Sequence, residues 1–198
     1  MIEDFKKEPR KKKVPRKVTP KSLENAALYY LERFSSSSEN LRRVMMRRVY
    51  RSAKYHDTDL TEGAEIIDAL IKRYNEVGLL NDVQFSKSRA ESLNRRGASA
   101  RLIRSKLEEK GVDIEFISKA LKSLGEEDQD PELSAAIIFA RKRRLGPFRN
   151  AEERQELKEK DMSKLARAGF NFNMAEKIIG AETSAELEEE VEKNTSGQ

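Results

Sequence analysis

Cysteine is absent from the 198 residues, and histidine occurs once, at His56. The first absence excludes disulfides, thiolate zinc sites and cysteine nucleophiles. The second excludes a histidine-based metal cluster within one chain. A hydrolase triad needs a histidine base, and His56 sits in the polar run Lys54-Tyr55-His56-Asp57-Thr58, which reads as a solvent-exposed linker. No glycine-rich phosphate loop occurs, neither G-x-x-x-x-G-K-[ST] nor G-x-G-x-x-G. Tryptophan is missing, aromatics make up 7%, and no apolar run approaches the length of about 18 residues that a membrane-spanning helix needs. The basic N-terminus lacks the apolar core of a secretory leader, so a cytoplasmic location is expected. Glu126, Glu127, Asp128 and Asp130 fall between Gly125 and Pro131, a placement that favours a solvated linker over a cation site. An enzyme, a metal or another cofactor is therefore not expected.

What the chain has in quantity is charge. Charged residues are 38% of the total and hydrophobic ones 37%, with 40 Lys+Arg against 35 Asp+Glu, a net +5. That is polar for a globular protein but too apolar for wholesale disorder. The charge is unevenly placed. Residues 1–21 hold seven Lys, two Arg, three acids and three of the five prolines, and read as a disordered basic arm. Residues 181–198 hold six Glu and one Lys, and read as a frayed acidic tail. Between them, residues 42–54, 87–106 and 141–149 are strongly basic, whereas 57–82 and 108–132 are strongly acidic.

The middle of the chain reads as helical throughout. Gly78, Gly111, Gly125, Gly169 and Gly180 each follow an apolar stretch of helical period, where a left-handed residue ends a helix. No alternating strand pattern and no Asn-Gly hairpin turn is present. Asp59 with Glu62 resembles a capping box that opens a helix with Ile67, Leu70, Ile71, Tyr74 and Val77 on one face. Asp113 caps a helix with Ile114, Ile117, Leu121 and Leu124 on one face, and Asp130-Pro131 opens another with Leu133, Ile137 and Ala140 as its buried stripe.

An internal repeat accompanies this pattern. Leu107, Gly111, Asp113, Ile114 and Lys119 recur at identical spacing as Leu165, Gly169, Asn171, Phe172 and Lys177. Arg95-Arg96-Gly97 lies upstream of the first set and Arg143-Arg144-Leu145-Gly146 upstream of the second. The expectation is an all-α, elongated tandem array of three-helix repeats, three units and about nine helices, over residues 22–80, 81–126 and 130–180. In the helix over 39–53, Arg43, Arg47, Arg51 and Lys54 fall within one narrow arc, with Leu41, Val44, Met45 and Val49 opposite. One such stripe is what any solvated helix face looks like. Three acid-poor basic segments in corresponding places point to contact with a polyanion or an acidic groove.

Gly78-Leu79-Leu80-Asn81-Asp82 with Phe85 resembles the Gly-x-Leu-Asn-Asp-x-x-Phe junction of the bacterial RecX family, modulators of the RecA recombinase. Ala27-Leu28-Tyr29-Tyr30-Leu31, Arg96-Gly97, Lys110-Gly111 and Arg143-Arg144-Leu145-Gly146-Pro147-Phe148 extend the resemblance over about residues 24–180. The chain departs from the family pattern in a longer polar linker after Tyr50-Arg51 and in extra charged sequence around 150–161. The resemblance implies a regulator without enzymatic activity of its own. It would bind the RecA–DNA filament along its groove and inhibit strand exchange, ATP hydrolysis and coprotease action, so modulating recombination, DNA repair and the SOS response. The candidate filament- or DNA-contacting residues are Arg43, Arg47 and Arg51 in the first repeat, Arg89, Arg95, Arg96, Arg101 and Arg104 in the second, and Arg141, Arg143 and Arg144 in the third. The alternative is a helical module that binds single- or double-stranded DNA non-specifically without RecA. A monomer is expected, and no membrane partner.

Overall fold

Thr19 opens the first helix by accepting a hydrogen bond from the Ser22 N–H, and the Ser22 hydroxyl completes the reciprocal box at the Thr19 N–H. Pro20, whose missing N–H costs nothing at a first helical position, follows. The computed structural model describes residues 14–195, and every regular element among them is helical. The helices are α1 (Pro20–Arg33), α2 (Ser38–Ala53), α3 (Leu60–Glu76), α4 (Asp82–Asn94), α5 (Ala100–Glu109), α6 (Ile114–Glu127), α7 (Pro131–Arg143), α8 (Ala151–Arg167), α9 (Phe172–Gly180) and α10 (Ser184–Thr195). A single 3₁₀ turn, Gly146–Phe148, lies between α7 and α8. The chain divides into two compact units, residues 1–34 with 41–77 and residues 35–40 with 78–198.

In the first unit α1 packs on α3, burying Leu23, Ala27 and Ile67. Gly63 has no room for a side chain, since a Cβ there would meet Val49 Cγ1 at 2.6 Å. This close approach sets Val49 of α2 against α3, and Leu41 and Met45 on the same apolar side of α2 are buried with it. Asp59 caps α3 by accepting from the Thr61 and Glu62 N–H groups. Leu70 and Ile71 are half-buried, and Val77, expected on the buried face, is 69% exposed because it lies past the last helical turn. Of the arm expected over 1–21, residues 1–13 lie outside the described residues. Residues 14–19 are tied down: the Val18 N–H donates to Ser52 Oγ at 3.1 Å, and His56 Nε2 lies 2.6 Å from the Pro15 carbonyl. His56 is therefore half-buried against this strap rather than loose in solvent.

The second unit holds two apolar clusters. One joins α4, α5 and α6 around Phe85, Ile103, Leu107, Ile117 and Leu124. The other joins α7 to α10 around Leu133, Ile137, Leu145, Leu165, Phe170, Ile178 and Leu187. Gly78 takes φ +74°, Leu80 and Phe85 are buried, and Asn81 caps α4 by accepting from the Gln84 N–H at 2.9 Å. Asp82 reaches instead to the start of α2, accepting from the Ser38 N–H at 2.8 Å.

Four helix ends in this unit close alike, with an N–H bonding five residues back: Ala98 to Leu93, Val112 to Leu107, Leu145 to Ala140 and Phe170 to Leu165. The left-handed residue before each is Gly97, Gly111, Arg144 and Gly169. The position matching Gly97 is thus Arg144, not Gly146. α5–α6 and α8–α9 are the repeated pair, and α8 is seven residues longer than α5, which absorbs the extra charge at 150–161.

Several local expectations change. Gly125 lies inside α6, which runs on to Glu127 and ends because Asp130-Pro131 must open α7. Gly180 closes α9 without a left-handed turn. Asp113 occupies the cap of α6 without a side-chain hydrogen bond, and Ile114, expected on the buried face, is 69% exposed at the first helical position. The acidic segment forms α10 over Ser184–Thr195, where fraying is expected, because Leu187 is almost fully buried against the second cluster.

Candidate functional site

The basic residues of the second unit are positioned by the ends of α4 and α7. Gly97 lets the end of α4 approach the α7 backbone closely, since a Cβ there would lie 2.9 Å from the Phe139 nitrogen and 3.1 Å from the Ala135 carbonyl. Lys142 then donates to the Arg96 carbonyl at 3.0 Å. Arg95 and Arg96 are thereby brought beside the last turn of α7, all of them exposed. Arg143 lies with its guanidinium 6.0 Å from the Phe139 ring centroid. Cations at two adjoining helix C-termini are also favoured by the helix dipoles, which explains how the cluster tolerates its own repulsion.

Arg101 stands at the start of a different helix, α5. Ser99 caps α5 by accepting from the Leu102 N–H, and its hydroxyl donates to the Ala168 carbonyl at 2.7 Å. The Ala100 N–H donates to Glu132 of α7 at 2.8 Å. Burial pushes the Glu132 carboxyl above its ordinary range, and Asp130 adds to this against the opposing Ala100 hydrogen bond. With the start of α5 held from both sides, Arg101 lies over the α8–α9 turn, 3.2 Å (Cβ) from where a Gly169 Cβ would stand.

The other expected residues are placed differently. Arg89 and Arg104 are half-buried on α4 and α5. Arg141 forms an ion pair with Glu188 of α10 and stacks 5.7 Å from the Phe148 ring centroid. Arg144 is exposed in the left-handed conformation, φ 52°. Arg43, Arg47 and Arg51 form an exposed face of α2 in the first unit. The sequence reading missed Lys142 as a bridge, and it missed the α8 row Lys160, Lys164 and Arg167, whose three- and four-residue spacing would have shown it.

Among the described residues one charged side chain is buried. Asp161, 2% exposed, accepts from the Gly146 N–H (3.2 Å), from Arg149 through both oxygens (3.2 Å each) and from Lys164 (3.0 Å). Burial raises its pKa, but these donors outweigh burial and leave it below the ordinary aspartate range. The network fixes the 3₁₀ turn that follows Arg143 and Arg144. Among the described residues no group of three or more His, Asp and Glu is placed to hold a metal ion, and no helix is long and apolar enough to cross a membrane.

No family model matches the chain, and no solved structure matches it. Curated relatives do. The chain is 43% identical over 175 residues to the regulatory protein RecX of Myxococcus xanthus, covering 88% of this chain and 92% of that one. It is 32% identical over 165 residues to the regulatory protein RecX of Agrobacterium fabrum, covering 83% and 85%. A third of the same name, from Thermobifida fusca, is 26% identical over 123 residues, 62% of this chain and 64% of that one. With 43% and 32% identity over most of both chains, this protein, whose regular elements among the described residues are all helical, belongs to the RecX family of regulatory proteins.

Proposed function

We propose that the protein regulates the RecA recombinase by binding the RecA–DNA filament and inhibiting its strand exchange, ATP hydrolysis and coprotease activities. The observation that carries this is the near full-length likeness to regulatory proteins named RecX. The exposed basic cluster of Arg95, Arg96, Lys142 and Arg143, with the exposed Arg101 of α5 adding to the positive charge of the same unit, supports it as the docking surface, since DNA phosphates or acidic recombinase surface would complement it. The protein would act by occupying the filament rather than by chemistry.

The test is the DNA-dependent ATPase of RecA on filaments assembled over excess single-stranded DNA. Inhibition well below one molecule per recombinase protomer is the expected result. No inhibition at equimolar protein would overturn the reading. The same cluster favours a second reading, direct non-specific DNA binding without RecA. That reading expects tight binding to naked DNA whose affinity falls with salt at a log–log slope of about −0.9 per phosphate contacted on duplex DNA.

A further inference from the structure

The second unit holds a feature that the basic cluster does not use: α10. Its apolar seam is Leu187, 2% exposed, and the partly buried Val191, both packed on the cluster built by α7 to α9. At about 100° per residue, Glu188 and Glu190 fall on opposite flanks of that seam. Each finds a cation on a different helix. Glu188 pairs with Arg141 at the end of α7, and Glu190 pairs with Lys177 of α9. Arg141 is contiguous in sequence with Lys142 and Arg143, which form the basic cluster. Two carboxylates of α10 thus stand on two cations at the edge of a surface suited to phosphate.

The start of α10 is fixed by Thr183, which accepts from the Glu186 N–H, and by Arg154, which donates to the Glu182 carbonyl at 2.7 Å. Along its length the helix packs through one fully buried leucine and one partly buried valine, and its two ion pairs join side chains that are each 41–56% exposed. Exposed ion pairs exchange readily with other anions and weaken with salt. Glu186 and Glu192 also lie on the exposed side of the helix, Glu186 accepting from the Glu182 N–H at 3.2 Å.

We infer that Arg141 and Lys177 form a contact site for nucleic-acid phosphates, and that in the free protein α10 occupies it as an intramolecular competitor. Nucleic acid displaces the Glu188 and Glu190 carboxylates from the two cations. The inference rests on the reading of the basic surface as a docking face, and it adds a regulation of that face by the protein's own acidic helix.

The experiment measures binding of a fluorescent oligo(dT) strand to the full chain across a salt series, for three proteins: wild type, the double variant E188Q/E190Q and the control E186Q/E192Q. Both variants remove two acids of α10 with little change of shape, E186Q keeps a side-chain oxygen to accept from the Glu182 N–H, and circular dichroism and thermal melts check the fold. The expected result is an affinity about three- to tenfold higher for E188Q/E190Q than for the control. Its salt slope should also exceed the control's by about 0.7 for each phosphate gained on a single strand. An equal gain in both variants would assign the effect to net charge and overturn the inference, as would no gain in either. If no protein binds oligo(dT), the phosphate site falls. The RecA ATPase measured on the same three proteins then shows whether the filament reading stands by itself. Stronger ATPase inhibition by E188Q/E190Q with unchanged DNA binding would overturn the phosphate site in favour of an acidic protein surface.

Discussion

At the scale of the single residue, Asp161 carries the heaviest consequence. A carboxylate this deeply buried is tolerated only because Arg149, Lys164 and the Gly146 N–H all donate to it. Asn in its place keeps an acceptor for Gly146 but leaves Arg149, itself 16% exposed, without its main partner. D161N is expected to cost about 1.5–3 kcal/mol in urea unfolding, the range for a hydrogen bond to a charged group. The pH dependence has a definite sign. The folded-state pKa is lowered, so the contribution is complete above the ordinary aspartate value of about 3.9 and is lost as pH falls through the folded value. The gap between wild type and D161N should therefore be constant near neutrality and narrow below about pH 4. A gap that widens on acidification would show that the network does not favour the charged form.

At the scale of the element, the helix ends decide most of what a reader of the sequence could and could not see. Gly78, Gly111 and Gly169 are legible because a left-handed turn favours glycine strongly, and their apolar neighbours keep a helical period. Gly125 misleads for the converse reason, since a glycine inside a helix costs only about 1 kcal/mol and α6 continues through it. Arg144 is invisible, because nothing about an arginine announces φ 52°. The turn is imposed by Leu145 and Gly146, which are buried by packing and by Asp161. The contrast is testable. R144G relieves a left-handed strain of about 1–2 kcal/mol and gives part of it back as chain entropy, so a gain of about 0.5–1 kcal/mol is expected. G97A, at the matching position, places a methyl 2.9 Å from the Phe139 nitrogen at φ +87° and is expected to cost at least about 2 kcal/mol. Urea midpoints of the two variants check both signs, and a loss of stability in R144G would mean that the arginine makes a contact worth more than its strain. α10 eluded the sequence for another reason. Its anchors, Leu187 and the partly buried Val191, are two apolar residues in a run of glutamates, and the cations that receive Glu188 and Glu190 are far away along the chain or on another helix.

At the scale of the whole molecule, the question is which of its many cations matter. Counting charge along the chain marks three basic segments, but folding treats them unequally. Arg141 is taken by Glu188 and Lys164 by Asp161, while Arg95 and Arg96 are exposed where Lys142 joins them to Arg143. A cation already paired to an internal carboxylate adds less to an external contact, because the first pair must be given up. The reversal most damaging to docking is therefore R95E/R96E/R143E rather than one that spends a substitution on Arg141. These side chains are exposed and the Lys142 bond is to the Arg96 backbone, so the fold should survive, with the thermal midpoint within a few degrees of wild type. Three reversed charges on one face should raise the concentration needed for half-inhibition of the RecA ATPase about tenfold or more at low salt, and by less as salt screens the surface. R43E/R47E/R51E, on the exposed face of α2 in the first unit, is the matched comparison with the same change in net charge. A larger loss in that variant would move the docking face to the first unit. Equal losses in both would mean that inhibition follows total charge rather than the cluster that the ends of α4 and α7 assemble.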